Sequence, residues 1–309
     1  MLKNMTDTIR GMLRELTGRD DFSGGAFNVR ANGESAGRLS TDGIRIEPKP
    51  DGSGFDIHIA PGVKRDKVHI PVVITKSGIR ETVYNDFHIG EGADVEIVAG
   101  CGIHNHGPQD SEHDGVHRFW LARGARVRYV EKHFGSGDGS GRRILNPGTE
   151  VYMDEGSVME MEMVQIRGVD DTERTTTAEL AANARLVVRE RLMTHGRQRA
   201  ISYYVVKMNG AGASADVVSR GVARDDSYQK FDAKLVGNAP CTGHTECDSI
   251  IMDNGKILAV PGLEANNVDA ALVHEAAIGK IAGDQLVKLM TLGLTEQEAE
   301  EQIINGFLN

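Results

Sequence analysis

Gly92-Ala93-Asp94-Val95-Glu96-Ile97, Gly124-Ala125-Arg126-Val127-Arg128-Tyr129 and Gly156-Ser157-Val158-Met159-Glu160-Met161 share one pattern. Each has a glycine, a small residue, then apolar residues at every second position. Ala182-Asn183-Ala184-Arg185-Leu186-Val187-Val188 is a weaker copy, and Gly212-Ala213-Ser214-Ala215-Asp216-Val217 is another. The spacings are 32, 32, about 27 and about 29 residues. Alternation of apolar and polar residues marks strands. Strands led by glycine at so regular a period point to a stacked solenoid, in which each turn buries its face only against its neighbours. A β-sandwich is the structural alternative.

The flanking sequence extends this pattern. Gly43–Glu47, Phe55–Ile59, Val68–Ile74 and Thr82–Tyr84 read as strands punctuated by Gly, Pro and Asp. Arg118–Leu121 and Val151–Met153 supply the further strands that a β-helix turn needs between glycine-led copies. His58, His69 and His88 lie on or beside such strands and read as surface or satisfied core residues. Before them, Ile9, Met12, Leu13 and Leu16 recur at helical spacing, and Gly18 follows. An amphipathic helix docked on the body is expected over 5–17. After residue 270 the period changes again. Asp284–Leu292 places Leu286, Leu289 and Met290 on one face, and Gly293 sits where a helix-terminating glycine belongs. Thr295-Glu296-Gln297-Glu298 is a capping box, followed by the stripe Ala299, Ile303, Ile304 and Phe307. So short a helical pair must pack on the solenoid, on a partner, or on both.

Composition narrows the function classes. The 309 residues carry a formal charge of −10, which disfavours nucleic acid and anionic membrane surfaces as partners. No apolar run approaches the roughly 18 residues that span a bilayer, and the charged first 18 residues do not read as a signal peptide. Three cysteines, Cys101, Cys241 and Cys247, make no disulfide framework. A cytoplasmic chain with available thiols is expected. Gly135-Ser136-Gly137-Asp138-Gly139-Ser140-Gly141 lacks a Walker lysine and reads as a flexible inter-strand loop, so the chain is not expected to hydrolyse ATP.

Potential ligands gather in two places. Cys241, His244, Glu246, Cys247 and Asp248 lie close together, followed by His274 and Glu275. Strand alternation sets Cys247 on a different face from Glu246 and Asp248, and puts His274 opposite Glu275. At most one of the latter two then shares a face with Cys247, unless the chain turns. From the residues alone, Cys247 is equally readable as a small buried hydrophobe, His274 as a capping residue, and Cys101 as a turn residue without a role. The second place is His104, His106, His113 and His117, with Asp110, Glu112 and Asp114 among them. His104 and His106 would share a face on a strand, and His113 and His117 on a helix. Together they are a candidate Zn²⁺ or Fe²⁺ site or a solvated polar loop.

The C-terminal stretch resembles the SufB/SufD family, the scaffold subunits of SUF iron–sulfur cluster assembly. The matching residues are Glu246-Cys247-Asp248-Ser249, His274-Glu275-Ala276, Gly279-Lys280-Ile281, Asp284-Gln285-Leu286, Leu289-Met290, Gly293-Leu294, Glu298-Ala299 and Gly306-Phe307, dense over about seventy residues. The resemblance implies a mainly β protein: a right-handed parallel β-helix over 27–275, a helical segment over 1–26 and a helical subdomain over 276–309 that binds an ATPase. It also implies a non-catalytic scaffold that assembles a transient cluster, 2Fe-2S or 4Fe-4S, and passes it to apo-proteins. Cys247, His274 and Glu275 would carry cluster assembly, with Cys241 and His244 as lesser metal candidates. Cys101 would carry sulfur receipt, several turns away from Cys247, with a persulfide travelling between them. The implied partners are a SufC-type ABC ATPase at Leu286, Leu289, Met290, Ile303 and Phe307, a sulfur donor such as a cysteine desulfurase system, and a second SufB/SufD-type chain in a homodimer. Two departures stand out. Val273 replaces the first residue of the family's Glu-His-Glu, and Ala99 the glutamate of its Glu-Gly-Cys. The alternatives are a SufD-like structural partner without its own cluster, or a β-helix metalloenzyme using His104–His117.

Overall fold

The computed structural model describes residues 2–3, 5–22 and 24–308. Among the described residues a helix, α1 (Asp7–Thr17), precedes twenty strands. The strands are β1 (Ala26–Ala31), β2 (Glu34–Leu39), β3 (Ile44–Pro48), β4 (Gly54–Ile59), β5 (Lys64–Ile74), β6 (Arg80–Ile89), β7 (Asp94–His104), β8 (Ser111–Leu121), β9 (Arg126–Ser136) and β10 (Arg143–Leu145). They continue with β11 (Gly148–Met153), β12 (Val158–Arg167), β13 (Asp171–Leu180), β14 (Arg185–Thr194), β15 (Arg199–Met208), β16 (Ser214–Ala223), β17 (Tyr228–Gly237), β18 (Cys241–Ile251), β19 (Lys256–Ala265) and β20 (Ala270–Gly279). Two helices close the chain, α2 (Gly283–Thr291) and α3 (Glu296–Leu308).

Successive strands from β5 onward alternate between two sheets, except that β10 and β11 both lie in sheet B. Sheet A runs β2-β1-β5-β7-β9-β12-β14-β16-β18-β20, and sheet B runs β19-β17-β15-β13-β10-β8-β6-β4-β3, with β11 between β8 and β13. All pairings beyond the β1–β2 and β3–β4 hairpins are parallel. This is a β-solenoid of two facing walls.

The glycine-led repeat marks the corner entering sheet A. Gly92, Gly124, Gly156, Asn183 and Gly212 all have positive φ, between 57° and 75°. The Gly92 amide donates to the Arg123 carbonyl, Gly124 to Glu155, Gly156 to Ala182, Asn183 to Ala211 and Gly212 to Pro240, at 2.8–3.0 Å. The weaker copy works because asparagine tolerates the left-handed region. Apolar residues then fill the interior, from Ile44 and Ile57 through Phe87, Phe119, Met161 and Leu186 to Leu235. On the outer face of sheet B, His58, His88, Trp120 and Tyr152 stack ring on ring at 4.8, 4.8 and 5.7 Å.

The terminal helices lie outside the walls. Thr6 caps α1 at its N-terminus and Gly18 closes it at φ 75°. Its buried Ile9, Met12, Leu13 and Leu16 cover sheet A with Phe27, Val73 and Phe134. Thr295 and Glu298 form the expected capping box, the Thr295 amide donating to the Glu298 carboxylate at 2.8 Å. Helix α3 lays Ile304 and Leu308 against Val222 on the outside of sheet A. Helix α2 buries no residue. Residues 137–141 are held in place: a Cβ added at Gly137, Gly139 or Gly141 would come within 2.0–2.4 Å of the 105–109 backbone. They pack as a corner where a flexible loop is expected.

At Gly124 nothing lies within 4 Å of an added Cβ, so only the backbone constrains the position. Gly124→Val is expected to lower stability by about 1–2 kcal/mol, the left-handed cost. Gly124→Asn should cost markedly less. Urea titration of the two variants checks this.

Candidate functional site

The three cysteines face the interior of sheet A. Cys101 and Cys247 are 1% exposed and Cys241 5%. Cys241 and Cys247 sit six residues apart on one strand, roughly 20 Å, so they do not share a small site. Cys101 is on β7 and Cys247 on β18, five strand steps along the wall. At about 4.8 Å per step they are roughly 24 Å apart along the axis.

A polar column fills the interval. In-register pairing stacks Ala99, Glu131, Met163, Glu190, Ser219 and Cys247 on sheet A. From sheet B, Arg174 reaches across. It forms a short bond to Glu131 and lies 3.7 Å from Glu190. Glu190 accepts from Ser202 at 2.6 Å, Ser219 at 2.7 Å and Tyr204 at 2.9 Å. Tyr129 donates to Glu131 at 2.8 Å, which leaves the His117 Nδ1–H to donate to the Tyr129 oxygen at 2.7 Å. Arg174 also approaches His133 Nδ1 at 3.4 Å, so that nitrogen accepts. A cavity of about 10 Å³ beside Cys101 is lined by His113, His117, Glu131 and His133. A second of about 10 Å³ lies beside Arg174, Glu190 and Ser202. The buried Oγ1 atoms of Thr149 and Thr176 have no partner.

Burial raises the Cys101 thiol well above its ordinary value, and Glu81 and Glu131 add to this. Burial also raises Cys247, with Glu190 and Asp248 adding to this and Ser249 opposing it. Burial would raise the Glu131 carboxyl too, but Arg174 above all holds it far below the carboxylate range.

The expected histidine cluster divides. His113 and His117 share the inward face of β8, because four residues is an even number of strand steps; this replaces the helix anticipated for that spacing. They lie about 13 Å apart. His113 approaches Glu81 at 3.3 Å. His104 and His106 sit outside at the end of β7, their ring centroids 4.1 Å apart, bonded to Ser136 and Asp138 respectively. The four imidazoles therefore do not meet on one ion.

The wall also divides the C-terminal ligands. His274 faces inward on β20, the same side as Cys247, and pairs with Thr245 Oγ1 at 2.7 Å. Glu275 faces outward, in register with Glu246. There His244, Glu246 and Glu275 bring their ligand atoms within 4.8 Å of one another. His244 Nδ1 bonds Asp216 at 2.9 Å. Val273 is in register with His244. Burial and the neighbouring Asp248 raise the Glu246 carboxyl. Glu246 stands among the candidate ligands in the sequence, but its partnership with His244 and Glu275 depends on the β18–β20 register, which the sequence does not display.

Comparison with known proteins bears on this arrangement. Residues 76–307 match the family described as SUF system FeS cluster assembly, SufBD core domain. The chain belongs to the SufBD family. An iron-sulfur cluster assembly SufBD family protein of Methanothermobacter thermautotrophicus is 27% identical over 267 residues, 85% of this chain and 64% of the relative. One from Methanocaldococcus jannaschii is 27% identical over 273 residues, 86% of this chain and 85% of the relative. The iron-sulfur cluster assembly protein SufB of Bacillus subtilis is 28% identical over 146 residues, 37% of this chain and 31% of that protein. The chain thus spans less than two thirds of the Methanothermobacter protein. In this SufBD chain no described helix is long and apolar enough to cross a membrane.

His117 and His133 are both pushed down to about 4, burial being the largest cause. Between pH 6.5 and 4 the unfolded chain takes up protons that these imidazoles refuse when folded, so stability is full above 6.5 and falls with pH through that window. The melting temperature is expected to drop from pH 7 to 4.5, with a shallower slope in His117→Gln and His133→Gln.

Proposed function

We propose that this SufBD protein is a scaffold on which iron–sulfur clusters are assembled and from which they pass to apo-proteins. Sulfur enters at Cys101, travels through the solenoid interior and reaches Cys247, where the cluster is built. The observation that carries this reading is that the two thiols face one interior, joined by the Glu131–Arg174–Glu190–Ser219 column. No cysteine lies on the strands between them, so the interior offers no thiol relay, and Arg174 is the cation at the middle of the route.

His274 shares the inner face with Cys247, whereas Glu275 lies across the wall. We assign all three to cluster assembly. Glu275 would act from the outer face of the wall, since a register shift of β20 that turned it inward would turn His274 outward. Leu258, Val260 and Leu263 on β19, with Val273 and Ile278 on β20, are exposed on the last turn. A second SufB/SufD-type chain, in a homodimer, would cover this edge and complete the ligand set, since one chain has too few cysteines for a four-thiolate site.

The C-terminal helices are the docking element for a SufC-type ABC ATPase, which would supply ATP hydrolysis in trans. Met290 is 42% exposed and Val287 60%, while Leu286, Leu289, Ile303 and Phe307 are half-buried. The sulfur source would be a cysteine desulfurase system, and the compartment the cytoplasm.

After anaerobic reconstitution, wild type is expected to hold iron and acid-labile sulfide in near-equal amounts, and Cys247→Ser to lose both. Sulfide absent from both proteins would count decisively against the scaffold. Leu286→Asp combined with Met290→Asp is expected to weaken ATPase binding at least tenfold in calorimetry, with the β-sheet circular dichroism unchanged.

A further inference from the structure

The outer wall behind Cys247 carries a ligand set separate from the interior thiol. His244 and Glu246 are two apart on β18 and project on the same side. Glu275 is the parallel neighbour of Glu246 on β20. This gives three points of a triangle: two along one strand and one across. One ligand atom from each lies within 4.8 Å of the others, and His244 Nε2 is 3.9 Å from Glu275 Oε2. Ligand bonds of about 2.0–2.2 Å need somewhat closer spacing, and the Glu275 side chain, 68% exposed, has the freedom to supply it.

The histidine is also oriented. His244 Nδ1–H donates to the Asp216 carboxylate at 2.9 Å, and Asp216 is itself held by Arg189. With its proton on Nδ1, the ring turns the Nε2 lone pair toward Glu275. A carboxylate behind an imidazole in this way fixes the tautomer and raises the basicity of the ligating nitrogen. Arg128, Arg189, Arg191 and Arg220 line a cavity with Glu246 on this face, and the Arg220 Cζ lies 5.9 Å from the Phe307 ring centroid.

We propose that His244, Glu246 and Glu275 form a mononuclear divalent-cation site, with Asp216 as its positioning residue. One imidazole and two carboxylates on one face, leaving positions open to water, suit Fe²⁺ or Mn²⁺ better than a soft thiophilic ion. The identification of the physiological ion as ferrous iron rests on the scaffold reading above; the site itself does not. Iron bound here would stand across one strand thickness from the Cys247 thiol.

The test uses the full chain and Mn²⁺ as probe, read by electron paramagnetic resonance and calorimetry under argon. Wild type and Cys247→Ser are both expected to bind one Mn²⁺ per chain with equal affinity. Glu246→Gln and His244→Asn should weaken binding at least tenfold, and Asp216→Asn roughly 10–100-fold, the range for loss of an outer partner. Melting curves identify any variant that fails to fold, and the near-isosteric Glu246→Gln carries the test if His244→Asn does. Unchanged affinity in folded Glu246→Gln, or loss of Mn²⁺ in Cys247→Ser, overturns the separate site. One Mn²⁺ bound by a wild type that never assembles sulfide would support the site while removing the scaffold reading.

Discussion

Parallel strands stacked in register impose one constraint on everything else here. Each residue sits directly above its equivalent in the next turn, so the chain must accept columns in place of isolated contacts. The corner amides obey this, each donating to a carbonyl one turn on. So do the rings of His58, His88, Trp120 and Tyr152. The left-handed corner makes the stack possible, because it turns the chain in the fewest residues and aims each amide along the axis.

The same constraint explains why buried charge is concentrated. Glu131 and Glu190 occupy one inward column of sheet A, separated by Met163. Neither could stay ionised alone in a dry interior. Arg174, from the opposite wall, reaches both, and Tyr129, Tyr204, Ser202 and Ser219 take up the remaining acceptor capacity. An apolar filling would serve stability equally well. The charge is held in the middle of the core by this one cross-wall arginine and its hydroxyl partners.

Much of the architecture was legible because its signal is local. A glycine followed by alternation needs no knowledge of distant residues, and the asparagine in the weak copy is explained by the backbone it must adopt. The capping box and the helix-ending glycine are local in the same sense. The candidate site was legible only in part. Alternation correctly separated His274 from Glu275 and Cys247 from its neighbours, but the joining of His244 to Glu275 required the β18–β20 register. The histidines at 113 and 117 were harder still. Their spacing also suits one face of a helix, and only the long strand β8 turns both rings inward. Arg174 gave no sequence signal, since one arginine among alternating threonines reads as an outward residue until its wall is known.

A solenoid behaves as a one-dimensional chain of units, each stabilised by the neighbours above and below it. An interior turn is clamped from both sides, whereas the last turn is clamped from one. Cys101 belongs to the first kind, with α1 braced against the outside of its strand. Glu275 and His274 belong to the second, on β20, which has β18 on one side and no further strand among the described residues on the other. Fraying therefore starts at the end that carries these ligands and is graded along the axis. Loosening that end disturbs a single interface, so the last turn can open without unfolding the rest.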